Sequence, residues 1–461
     1  MMDSFSHLVA APFVRLGRGP TLFLGFIALN MLSCAALIDQ MLVLHARALG
    51  IGTGWVGVLN ALLPFAMMVS IFMTATAQRL GSKRLLISGW TMRNIMITPI
   101  VLTPLAYKWW GTHGAAIVLF LGVAMFCLVR AITGIGWSSW LHEIVAEENR
   151  GFYFTVESVV ARGMGILFGV AVFLFFSGQP ALWKFSVMSA FGVSAGLASI
   201  WFLARVPGGG PVPDTSAQPR SSRDEYRRVL GDHYFRPFLV LMLAGTFVGT
   251  AQPLVFTLFM RDHLGFPPGP IMLIGAIASA VAMCTVHRWT RIADSHGSPV
   301  TMAAAGFLIV AAMGMLGLAG HDRLGVWFIG LLAIVLAVGS SGFFVTAARS
   351  FMHRIDASMR HAYVAVWSTA TALFAGTASI LAGVLVRGGS HQAFTLTALG
   401  LALLMAAACV ALLRLPERGV DFEAHDYELF DPGQPVLSIL RMYGYVLKPM
   451  AASAHMLKTA K

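Results

Sequence analysis

The chain of 461 residues is 57% hydrophobic and only 11% charged, with a mean hydropathy of +0.76. Soluble domains carry about a quarter charged residues, so this composition excludes a water-soluble globular protein and asks how often the chain crosses a bilayer. The net charge of +12 would suit a nucleic-acid partner, but its distribution, given below, follows membrane topology and excludes that class.

Windows of roughly 20 apolar residues mark membrane-crossing helices. Twelve are predicted, near 21–45, 52–76, 85–107, 114–138, 155–178, 181–205, 237–260, 268–287, 299–319, 324–348, 362–386 and 392–414. The first follows Arg15 and Arg18 as a signal peptide would. It runs about 25 residues without a small-residue cleavage site, so it reads as a retained span. Cys34, Cys127, Cys284 and Cys409 fall in separate apolar spans. That scatter gives neither a disulfide framework nor metal-ligand spacing, and no metal is expected.

With the N-terminus placed in the cytoplasm, 25 Lys and Arg residues fall on the inner side, Arg93 and Arg162 being counted there with the adjoining loops. Six fall outside: Arg47, Lys108, Lys184, Arg261, Arg323 and Arg387. This is the positive-inside bias. It places both termini in the cytoplasm, as in a multi-pass protein of a bacterial inner membrane. Arg130 is the one basic residue left without a side.

Residues 206–236 separate six spans from six. The segment begins VPGGGPVPDTSAQP, rich in Gly and Pro, and continues SRDEYRRVLGDHYF, an amphipathic stretch suited to the membrane surface. The expected organisation is a cytoplasmic segment 1–20, a six-helix bundle 21–205, a linker 206–236, a second bundle 237–415 and a cytoplasmic tail 416–461.

The two bundles carry matching marks, as transporter repeats do. QRLGSKR after the second span parallels DSHGSPV after the eighth, with Gly81 and Gly297 in register. Arg150 and Arg360 follow the fourth and tenth spans, each three residues before a tyrosine, Tyr153 and Tyr363.

On these residues the chain resembles the major facilitator superfamily, over about 21–415. That family carries a Gly-x-x-x-Asp-Arg-x-Gly-Arg-Arg motif between its second and third helices. RIADSHGS (291–298) looks like the second-half copy, through Asp294 and Gly297. In the first half Gln78 replaces the aspartate, while Arg79, Gly81, Lys83 and Arg84 remain. The fourth span's FCLVRAITGIG also matches the family's Arg-x-x-x-Gly-x-Gly through Arg130, Gly134 and Gly136. The fifth span has Gly163, Gly165 and Gly169 but not the Gly-Pro of the antiporter motif. The resemblance implies an all-α membrane protein of twelve transmembrane helices in two pseudo-symmetric six-helix bundles, rocking about a midplane site. It implies a conformational gate at Gly81, Lys83, Arg84, Arg150, Asp294 and Gly297.

Ionisable residues within a span are functional candidates by default. Arg130 lies about 12 Å from the inner end of its predicted span, at 1.5 Å per residue. It either stabilises a deprotonated acid or attracts an anionic substrate group; the bland reading is a structural pairing. Asp39 lies about 10 Å from the outer end of the first span. A carboxyl in such a setting can load and release a proton as access alternates, or it pairs with His45 or Arg47. Asn30, Asn60 and Gln252 offer neutral hydrogen bonds to a substrate, Gln252 beside Pro253. Asn30 and Asp39, nine residues apart, face opposite ways on a regular helix. Trp137 and Trp140 read as interfacial anchors. Glu143, Glu147, Glu148 and Arg150, with Glu157 and Arg162, form either an inner-gate network or a solvated loop.

No enzyme constellation and no nucleotide-binding loop is present, so no cofactor and no ATP are expected. The reading is a monomeric, proton-coupled secondary transporter of a small molecule. The rivals are a non-transporting scaffold that engages a partner through 416–461, and a translocator of lipid or amphiphile.

Overall fold

A computed structural model describes residues 16–69, 80–134, 136–146, 149–176, 181–211, 223–318, 325–356 and 359–415. Gln78, Arg79, Glu147, Glu148 and the 416–461 tail lie outside the described residues. Every described element is helical, as apolar surroundings demand: without water to bond the backbone, each N–H must find a carbonyl within its own segment.

The first predicted span is two helices, α1 (Arg18–Leu37) and α2 (Gln40–Ala48). α3 (Thr53–Val69) is the second, with Pro64 inside it. α4 (Ser82–Ile97) continues through a 3-10 turn, Thr98–Leu102, into α5 (Thr103–Thr133). Gly111, at φ 64° and ψ −160°, breaks α5, so the 52-residue stretch Ser82–Thr133 holds the third and fourth spans. A short α6 (Gly136–Ile144) follows. Then come α7 (Arg150–Phe175), α8 (Leu182–Arg205) and the linker's α9 (Arg223–Gly231). The second half consists of α10 (Phe235–Leu258), ending in a π turn at Phe259–His263, α11 (Pro268–His296), α12 (Ser298–Leu318), α13 (Val326–Arg354), α14 (Arg360–Leu385) and α15 (His391–Leu412).

Ten of these stretches are long and apolar enough to cross a membrane, and Thr53–Val69 is a shorter apolar helix. With the Ser82–Thr133 stretch counted as two, they make the twelve spans of a multi-pass membrane protein. The fourth span ends at Thr133, five residues before its predicted end, with Gly134 as its C-cap.

Two compact units emerge. The first contains residues up to Ser221 together with Thr250–Ile277 and Ala365–Thr397; the second contains Ser222–Gly249, Ala278–Val364 and the chain from Ala398. In the first unit α1 packs on α8 and α7, and α5 on α3 and α4. Lipid is as apolar as leucine, so such contacts hold by close packing and hydrogen bonding rather than by expulsion of water. An aromatic cluster fills the interior here. Phe23 stacks edge-on against Phe26, Trp137 and Trp140 at 5.5, 4.9 and 5.8 Å. Trp140 is fully buried and Trp137 packs against the same core. Both tryptophans were expected as anchors at the membrane interface; they pack against this protein core instead. In the second unit α12 packs along α13.

The repeat is visible in the backbone. Gly81 and Gly297 each precede a helix start, at φ 80° and 85°. Both adopt a conformation that a side chain would strain. Arg150 and Arg360 each open a 26-residue helix, with Tyr153 and Tyr363 buried one turn on.

Candidate functional site

A polar cluster lies between α1, α4 and α5, inside the first unit. Arg93, on α4, is fully buried. One of its Nη atoms donates to the Asn30 side-chain oxygen of α1, which also accepts Trp90 Nε1 at 3.1 Å. The guanidinium carbon of Arg93 sits 4.4 Å from the Trp90 ring centre and 4.6 Å from that of Phe126. Aromatic faces carry negative quadrupole charge and stabilise a cation held there. Arg93 Nε and its other Nη are buried without a hydrogen-bond partner.

Arg130 lies in the last turn of α5, half-buried, and its Nη1 donates to Cys34 Sγ at 3.7 Å. Arg93, Arg130, Cys34 and Cys127 are within electrostatic range of one another. Asn94, one residue beyond Arg93, donates to the Trp90 carbonyl at 2.7 Å and leaves its own oxygen buried without a hydrogen-bond partner, as is Ser33 Oγ. Among the described residues no carboxylate pairs with either arginine.

Arg93 corrects the charge count. It belongs to a span interior, not to the loop with which it was counted, and Arg162 likewise lies within α7. Removing both from the 25 leaves 23 against six, and the bias stands. A signal for Arg93 was present in WTMRN (90–94), where Trp90 lies three residues before it, on the same helix face.

Asp39 occupies the break between α1 and α2. The Ile38 N–H still bonds the Cys34 carbonyl at 3.0 Å, and the Asp39 carbonyl accepts from Leu42 at 2.8 Å. Asp39 has φ −96° and ψ −149°, and its exposed carboxylate makes no capping bond. The span is therefore irregular between Asn30 and Asp39, and the opposition expected on a straight helix does not apply. Neither expected partner reaches Asp39. His45 contacts Thr103 Oγ1 at 3.0 Å and stacks on Phe185. Arg47 pairs with Asp262 at 2.9 Å and also donates to the Ile51 carbonyl.

α2 is tied a second time to the 250–277 segment through Gln40 Nε2, which donates to Thr257 Oγ1 at 3.0 Å. Gln252 is buried on the same helix as Thr257, beside Pro253. Asn60 is half-buried on α3, apart from the Asn30 cluster. Thus Asn30 and Arg130 are joined through Arg93 and Cys34, whereas Asp39 lies at the helix break, Asn60 on α3 and Gln252 on α10.

The gate candidates divide between two constructions. In the first unit the linker lies against the start of α4. Lys83 donates its backbone N–H to the Gly209 carbonyl at 2.9 Å and its Nζ to the Val206 carbonyl at 2.6 Å. Trp140 Nε1 donates to the Pro207 carbonyl at 2.8 Å, and the Gly209 N–H donates to Glu143 Oε2 at 2.9 Å. Gly209 has φ +72°, and a Cβ there would fall 2.8 Å from Lys83 and 2.9 Å from Trp140. Arg84 points to solvent, and Arg150 reaches the His142 carbonyl at 3.3 Å. In the second unit Arg349 pairs with Asp294 at 3.1 Å, contacts Ser298 Oγ at 3.1 Å and bonds the Ala293 carbonyl. Of the charges grouped with Arg150, Glu157 has a carboxylate oxygen buried without a hydrogen-bond partner. Among the described residues no group of three or more His, Cys, Asp or Glu side chains could hold a metal ion.

No protein-family profile and no curated protein matches the sequence. The fold does match solved structures. A mutant of the nucleoside transporter NupG aligns with a TM-score of 0.67 at 12% identity, over 85% of this chain and 99% of that one. A POT family transporter in complex with a thioalcohol-conjugated peptide aligns at 0.64 and 12%, over 86% and 96%. A bacterial homologue of the iron transporter ferroportin, in its inward-facing state, aligns at 0.64 and 14%, over 86% and 98%. At such identities the likeness is one of fold. The chain has the major facilitator fold, twelve membrane helices in two six-helix halves.

Proposed function

We propose that the protein is a secondary active transporter that moves a small solute across a bacterial inner membrane by alternating access, coupled to protons. The observation that carries this reading is the buried polar cluster of Asn30, Arg93 and Arg130. Charge is expensive within a bilayer and is retained where it serves a ligand or ion path. A discontinuous span with a carboxylate at its break supports the coupling role of Asp39, because broken helices line the sites of many transporters. The residual charge bias supports a cytoplasmic position for the linker, α6 and both termini. Asn60 and Gln252 are assigned hydrogen bonds to the solute, and the Asp294 and Lys83 constructions are assigned the cytoplasmic gate.

On this reading Asp39 takes a proton from the side opposite the linker and gives it up on the other, as the broken span exposes it in turn. The test uses the full chain in liposomes loaded with a pH-sensitive dye. A solute that binds the detergent-purified protein should drive proton movement, and Asp39→Asn should abolish that movement while binding persists. Unchanged proton movement in Asp39→Asn removes the coupling role. A bound solute that never crosses the bilayer, even by exchange, removes transport.

A further inference from the structure

The two arginines of the first unit raise a question of charge balance. Arg93 is fully buried, donates to the neutral oxygen of Asn30, shared with Trp90, and faces Cys34; among the described residues it meets no carboxylate. Arg130 has five N–H donors, and among the described residues its guanidinium meets a single, weak acceptor, Cys34 Sγ. The described acids of the same unit do not pair with them. Asp262 pairs with Arg47, Glu143 accepts from Gly209, and neither Asp39 nor Glu157 forms an ion pair with either arginine. Two guanidinium groups within electrostatic range of each other repel in a low-dielectric interior, where the attraction of an opposite charge is correspondingly large.

We infer that this cluster is an anion site: the solute carries a carboxylate or phosphate group that binds Arg130, with Arg93 behind it as a fixed second positive charge. Of the two functional roles open for Arg130 in the sequence, stabilising a neighbouring acid or attracting an anionic ligand, the lack of a paired acid among the described residues favours the ligand. The one weak bond to Cys34 leaves a purely structural pairing poorly satisfied. Arg130 is the contact residue because it is half-buried, with unfilled donors, whereas Arg93 is sealed between Trp90 and Phe126. A guanidinium fork matches the planar spacing of a carboxylate or phosphate, which a lysine ammonium does not. The same pair repels cationic solutes. Arg93 is a positioning residue, and Asn30 fixes its plane. The biological meaning rests on the transport reading above, but the chemistry of the site does not.

The test is thermal unfolding of the full chain in detergent. The probes are succinate, inorganic phosphate and phenyl phosphate, each against sodium chloride at equal ionic strength and against the uncharged succinamide. At least one oxyanion should raise the unfolding temperature saturably, and succinamide should not. Arg130→Gln should weaken the half-saturating concentration about 30-fold, in line with a charge-assisted bond. Arg130→Lys, which keeps the charge and loses the fork, should fall between, and its unliganded unfolding temperature reports whether the fold survives. Stabilisation by no oxyanion, or a response that Arg130→Gln leaves unchanged, overturns the inference. Oxyanion binding without flux in liposomes keeps the anion site and sinks transport. Flux of a neutral solute that ignores Arg130→Gln sinks the anion site alone.

Discussion

Arg47 and Asp262, 215 residues apart in sequence, face each other with the guanidinium Nε 2.9 and 3.0 Å from the two carboxylate oxygens. Their side chains keep only 23% and 12% of their exposure, so the pair is shielded from solvent more than a surface bridge. Arg47 also holds the Ile51 carbonyl, which fixes the turn after α2. Asp262→Asn or Arg47→Gln should weaken the closure of α2 on the end of α10 by about 1–3 kcal/mol, the scale of hydrogen bonds to charged groups. The check is maleimide labelling of Thr257→Cys, a buried position. Its rate should rise in either single variant, and the charge-reversed double variant should restore part of the protection.

The linker's hold on α4 should depend on Gly209. Gly209→Ala meets both an unfavourable φ and two side chains, Lys83 and Trp140, already at contact distance. A cost of about 1–3 kcal/mol is expected from backbone strain of this kind. The consequence to measure is protease cleavage near 206–211, which should quicken in Gly209→Ala and change far less in Gly210→Ala, where the added methyl meets open space.

Asn30 satisfies two donors at once, Arg93 Nη2 and Trp90 Nε1. Asn30→Leu strands both in an apolar interior, one of them charged. Each stranded buried donor costs about 1–3 kcal/mol, more for the charged one, so the unfolding temperature in detergent should drop sharply. Adding Arg93→Met removes the stranded charge and should recover part of the loss, because apolar replacement of buried ionic groups is often neutral or better. No recovery in the double variant would show that Arg93 is not the source of the penalty.

In the second unit, Asp294 is 66% exposed while Arg349 is 25% exposed. Arg349 binds Asp294, the Ala293 carbonyl and Ser298 Oγ together, so it pins the turn at Gly297 through three partners. Arg349→Gln should therefore impair transport more than Asp294→Asn, whose exposed ion pair is worth about 0–1 kcal/mol. Flux measured for both variants at high and low salt checks the order. Salt should reduce the difference between wild type and Asp294→Asn.

The spans were readable because a bilayer imposes one length on every crossing, and lost hydrogen bonds cannot be hidden there. The repeat was readable for a similar reason: Gly81 and Gly297 stand where only a glycine takes the required backbone without strain. The break at Ile38–Asp39 was not, since apolar windows register composition and not backbone continuity. Arg93 escaped because counting charges by side assigns any arginine near a loop to that loop. Its burial depends on Trp90, Phe126 and Asn30 arriving from three helices, and nothing local to Arg93 specifies Asn30. Trp137 and Trp140 were misread by the same locality: aromatic residues near a span's end favour the interface, and the partners that bury these two, Phe23 and Phe26, come from another helix.

The two-residue gap in the first span divides it into parts with different tethers. α1 is anchored along α8 and α7, while α2 is tethered by Gln40 and Arg47 to Thr257 and Asp262. Two residues carry four soft dihedrals, enough to turn one part against the other, although α2 also meets α8 through the stacking of His45 on Phe185. Asp39 is the joint's own side chain. On the proposed coupling role, a proton taken up there would alter the solvation of the pivot itself, and chemistry and mechanics would meet in a single residue.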